Sequence, residues 1–80
     1  MFKIAKMQNR NYKNLVLFYI QDGDRYFKYI PFGYMRPYKE ELGEIRFMEE
    51  VLKYKNDGLL LDLYKSNELP TIGGNTYENN

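Results

Sequence analysis

The dipeptide Asp22-Gly23 constrains this chain more than any other feature. It stands between two runs rich in β-branched and aromatic residues, within the stretch Leu15-Val16-Leu17-Phe18-Tyr19-Ile20-Gln21-Asp22-Gly23-Asp24-Arg25-Tyr26-Phe27-Lys28-Tyr29-Ile30-Pro31-Phe32. Tight hairpin turns need positive φ at one or both central residues, so Asp-Gly between such runs predicts a β-hairpin over 15–32. With Asp22-Gly23 at the tip, Ile20 faces Arg25, Phe18 faces Phe27 and Val16 faces Tyr29. With Gly23-Asp24 at the tip, Ile20 faces Phe27 and Phe18 faces Tyr29.

Side chains alternate with period two, so both registers give the same two faces. Face one holds Val16, Phe18, Ile20, Phe27 and Tyr29, with Arg25 at its end. Face two holds Leu15, Leu17, Tyr19, Tyr26, Lys28 and Ile30. Face one reads as the core face that receives a helix. Face two is too apolar for a solvated sheet surface, yet it carries two tyrosines and a lysine.

The flanking segments extend the hairpin into a domain. Phe2–Met7 alternates weakly and reads as a first strand, placed at an edge because its lysines discourage edge-to-edge pairing. Gln8–Asn14 is a polar connection, and Pro31 ends the third strand by removing a ladder donor. Phe32–Tyr38 then reads as a loop with three aromatics, a methionine and an arginine.

Lys39–Lys55 reads as a helix, with Glu40, Glu41 and Glu44 near its start and Lys53 and Lys55 near its end. Leu42, Ile45, Met48 and Leu52 make one apolar stripe, assigned to the sheet. Phe47, Val51 and Tyr54 make a spare one. Asn56-Asp57-Gly58 is a stop signal, and Leu59–Tyr64 reads as a fourth strand returning to the sheet. From Ser66 the chain is polar, with Pro70 and Gly73-Gly74, and reads as a flexible tail over 66–80. The expected fold is α+β, a small antiparallel sheet of three to four strands with one helix packed on one face, in the order β-β-β-α-β over 1–65.

Composition narrows the function classes. Eighty residues bury only about 60% of their unfolded surface, and with no cysteine and no histidine neither a disulfide nor a zinc site can staple the fold. Efficient packing or self-association has to supply the stability. The same two absences remove the usual nucleophile and general base, and Ser66 stands beside no base. Asp22-Gly23-Asp24 lacks the glutamate a calcium loop needs at its end. Gly73-Gly74 lacks the lysine of a phosphate loop. No catalytic residue, cofactor or metal ligand is assigned. No apolar run reaches the length of a membrane span, so a soluble cytoplasmic protein is expected.

Two binding readings remain. Tyrosine, methionine and arginine are enriched at the centres of protein interfaces. The loop residues Tyr34, Met35, Arg36 and Tyr38, with the spare stripe Phe47, Val51 and Tyr54, therefore form a candidate surface for a protein partner or a second copy. Heavy use of Lys, Asn, Tyr and Ile matches AT-rich coding and suggests a phage or mobile-element product, such as an inhibitor of a bacterial host or defence protein acting in the host cytoplasm. The alternative is single-stranded nucleic acid, with Tyr19 and Tyr26 stacking bases and Lys28, Arg10, Lys13 and Arg25 meeting phosphates. Against it, net charge is only +1, and residues 38–80 hold nine Asp/Glu against five Lys/Arg.

Overall fold

A computed structural model describes residues 1–31 and 38–70. The elements in chain order are β1 (Phe2–Gln8), β2 (Val16–Asp22), β3 (Arg25–Ile30), β4 (Tyr38–Leu42), α1 (Glu44–Asn56) and β5 (Leu60–Ser66). The strands form one antiparallel sheet in the order β4-β3-β2-β1-β5. The α+β class and the hairpin follow the expectation from the sequence. The sheet has five strands rather than three or four.

The hairpin takes the Gly23-Asp24 register, with Ile20 opposite Phe27, Phe18 opposite Tyr29 and Asp22 opposite Arg25. Gly23 has φ +64°, and no non-glycine residue described has positive φ, which is the pattern of a type II′ turn with glycine at the first central position.

The fifth strand comes from Tyr38, read as the end of the loop, and from Lys39–Leu42, read as the start of the helix. Tyr38–Leu42 alternates as a strand does, and it pairs along the edge of β3 with Lys28 opposite Glu40 and Tyr29 opposite Lys39. A free strand edge offers a row of unpaired N–H and C=O groups. Pairing them outweighs the weak helical bias of two glutamates. The helix therefore starts after Gly43, its N-cap, which as a glycine has no side chain to make a capping bond.

Its other end follows the predicted stop. The Gly58 N–H donates to the Lys55 carbonyl and the Leu59 N–H to the Tyr54 carbonyl, with Gly58 at φ +77°, which together make a Schellman motif. The turn delivers Leu59 to the sheet, where its carbonyl accepts from the Gln8 N–H at 2.8 Å. The fourth strand expected at Leu59–Tyr64 is β5, and it pairs with β1. That places β1 inside the sheet rather than at an edge. A bulge sits in the pairing, with Lys6 opposite Asp62 and Met7 opposite Leu60, so Leu61 has no partner.

The largest correction concerns which face the helix covers. It packs on face two, where its Phe47 forms a core with Ala5, Met7, Leu17, Tyr19 and Leu42 of the sheet. Face one carries a second apolar cluster of Ile4, Phe18, Ile20 and Phe27, against which Leu69 packs from beyond β5.

Candidate docking groove

Three side-chain rows cross the helix-bearing face, and they define the site. Cross-strand pairing links Leu42, Tyr26, Gln21, Lys3 and Lys65 in the first row, nearest the start of α1. Glu40, Lys28, Tyr19, Ala5 and Leu63 make the second. Leu17, Met7 and Leu60 belong to the third. The helix starts beside Leu42 at the β4 edge and ends where Leu59 meets Gln8, so it crosses these rows diagonally.

Aromatic rings hold the helix over the β2–β3 half of the sheet. Tyr19 lies 5.8 Å from Phe47 edge-on and 5.7 Å from Tyr54, and Tyr26 lies 4.8 Å from Phe47, centroid to centroid. Edge-on and tilted rings add attraction beyond their buried area. Glu50 anchors the same flank. It accepts from the Tyr19 hydroxyl at 2.7 Å and from Arg46 Nε at 2.8 Å, and Lys28 Nζ lies 3.9 Å away. Arg46 also reaches Glu40 on β4.

Burial and the Glu50 contact push the Tyr19 hydroxyl far above its ordinary pKa, so it stays a donor. Burial alone would raise Glu50, but Tyr19, Arg46 and Lys28 together hold its carboxyl below the ordinary value. At the far end, Arg10 pairs with Asp57 and stacks 4.3 Å from the Tyr54 ring centroid, tying the loop after β1 to the helix terminus.

The diagonal path buries Ala5 and Met7 of β1 but leaves the face open toward β5, at Leu63. An open groove of about 440 Å³ remains there, with Ala5 and Leu63 as its floor, Phe47 and Val51 on its helix wall, and Lys3 and Lys65 at one end. Leu63 is 65% exposed. Beside the groove the outer side of the helix presents Ile45, Met48 and Leu52 to solvent, with Ile45 76% exposed. By 100° steps Met48 lies on the groove side of Phe47, because Val51 lines the groove whereas Glu50 turns toward β3.

The predicted site residues fall in different places. Phe47 is buried in the core, and Val51 and Tyr54 pack against it, so the stripe read as spare faces the sheet. Ile45, Met48 and Leu52, assigned to the core by sequence, are the exposed row. Leu42 belongs to β4 and is buried. Tyr38 is half exposed on the β4 edge, and its hydroxyl donates to Glu40. Tyr34, Met35 and Arg36 lie outside the described residues.

Of the alternative set, Tyr19 is 1% exposed and Tyr26 packs under Phe47, so neither presents an open ring face. Lys28 faces Glu40 across the strands and Glu50 on the helix. Arg25 makes a two-bond pair with Glu41, and Arg10 is held by Asp57. Lys13 is exposed in the β1–β2 connection. The residue that sequence reasoning missed altogether is Leu63. Its signal was the run Leu59–Leu63, too apolar for an edge strand with one covered face. Ser66, the lone serine, accepts a hydrogen bond from the Glu68 N–H.

Fold and site together define the class: a small α+β domain with a diagonal helix and an open apolar groove beside it. Compared with known protein families, curated proteins and solved structures, the chain matches none.

Proposed function

We propose that the protein is a non-catalytic protein-binding module whose docking surface is the groove over Ala5 and Leu63 together with the row Ile45, Met48 and Leu52. One observation carries this reading. Four large aliphatic side chains, Ile45, Met48, Leu52 and Leu63, are about half or more exposed on one side of one small domain. Contiguous apolar patches of that kind mark interaction sites in soluble proteins.

The nucleic-acid reading loses support, since the tyrosines it needs are roofed by α1. The narrower reading, an inhibitor of a bacterial host or defence protein carried by a phage or mobile element and acting in the host cytoplasm, draws on chain size and residue usage alone.

A photo-crosslinking amino acid tests the docking surface directly. Placed at position 45 or 63 and irradiated in living bacteria, it should give discrete protein adducts. Placed at position 38, on the opposite sheet edge, it should give none. Absence of adducts from 45 and 63, or adducts that nuclease removes, overturns the reading.

A further inference from the structure

The docking surface described above is self-complementary, and resting on that reading we propose that its occupant is a second copy of this chain. Each molecule carries both halves of a contact: a projecting row (Ile45, Met48, Leu52) and, next to it, a depression floored by Ala5 and Leu63. A two-fold interface requires the same patch on both partners.

The geometry admits one arrangement of this kind. Row and depression lie on the same side of the sheet, so a two-fold axis running along the helices seats each α1 in the other copy's groove. The two helices then run side by side in the same direction between two facing sheets. Ile45 and Leu52 point away from their own sheet, about 160° and 140° round from Phe47, and so meet Leu63 of the second copy. Met48, at about 100°, meets its own counterpart across the axis.

Charge agrees with that direction. Lys3 and Lys65 sit directly opposite each other across β1 and β5, at the groove end nearest the start of α1. Like charges so placed repel, and among the described residues neither has a carboxylate within ion-pair distance. In the proposed arrangement the acidic half of the second helix arrives at this end, bringing Glu44 and Glu49, which also have no ion-pair partner among the described residues. Glu49 lies about 200° round from Phe47, on the outward side. The arrangement also supplies the burial that a chain without cysteine or histidine staples lacks.

Analytical ultracentrifugation of the purified protein, from micromolar to millimolar, tests the inference. A concentration-dependent monomer–dimer equilibrium is expected. Ile45→Glu and Leu63→Glu, both at exposed positions, should shift it to monomer while the far-ultraviolet circular dichroism is unchanged. Lys65→Glu should weaken the dimer about tenfold, on the scale of 1.4 kcal/mol per decade, and Glu49→Lys in the same chain should restore it. A monomer throughout the range, or a dimer indifferent to Ile45→Glu and Leu63→Glu, overturns self-docking. The two proposals fail separately: crosslinks from position 45 to a protein of another mass sink the dimer alone, whereas no crosslink at all sinks the docking surface.

Discussion

Tyr19 shows how one side chain serves two layers of this fold. Its ring is the hub of the helix–sheet core, and its hydroxyl ends the hub with a bond to Glu50. Removing the hydroxyl in Tyr19→Phe keeps the ring packing and leaves Glu50 to Arg46 and Lys28. A loss of about 1–2 kcal/mol is expected, read from urea unfolding at pH 7.

Glu50 predicts a pH dependence of definite sign. Its folded pKa lies below the ordinary value of 4.5, so the unfolded chain takes up the proton first as pH falls. The stability it contributes is present in full above about pH 4.5 and is lost as pH drops through the lower folded value. Between pH 6 and pH 3, Glu50→Gln should show a shallower fall in unfolding midpoint than the unaltered protein; an equal slope would place the acid sensitivity elsewhere, with the exposed Arg25–Glu41 pair the next place to look.

At the level of elements, the orientation of α1 is what the stripes decide. Phe47→Ala should cost about 3–5 kcal/mol, since it empties the centre of the helix–sheet core. Ile45→Ala, measured in dilute solution on the monomer, should change stability by less than about 0.5 kcal/mol, as expected for an exposed position. The reverse ranking would restore the stripe assignment read from sequence. The helix end gives a second test. Gly58 holds φ +77°, where a Cβ is strained even with open space around it, so Gly58→Ala should cost about 1 kcal/mol in thermal or urea unfolding.

The sequence held the hairpin because glycine at a turn and period-two alternation are local facts, and the two registers it left open share the same faces. It did not hold the helix start. Glu40, Glu41 and Glu44 look like a first helical turn until the edge of β3 is known to be vacant. Nor did it hold the stripe, since Ile45, Met48 and Leu52 are as apolar as Phe47, Val51 and Tyr54.

For the molecule as a whole, the lopsided charge resolves within the fold. Arg10 pairs with Asp57, Arg25 with Glu41 and Lys28 approaches Glu50, so basic residues of the first half meet acidic residues of the second. These pairs are surface or half-buried contacts worth little individually. Lys3 and Lys65 are among the described cations outside these pairs, and they face each other across β1 and β5 at the groove. Among the described residues no helix is long and apolar enough to cross a membrane.

By itself the sequence determined the α+β class, the hairpin and its two faces, the helix stop at Asn56-Asp57-Gly58 and the return strand, because each rests on neighbours within a few residues. Tertiary structure alone decided the fifth strand, the covered face, the exposed helix row and the groove. Those depend on where the free edge of β3 captures Tyr38–Leu42 and on the diagonal path that then follows. Two equally apolar stripes and two apolar sheet faces offer several ways to bury about the same area, and only the chain's route from β4 to β5 selects one.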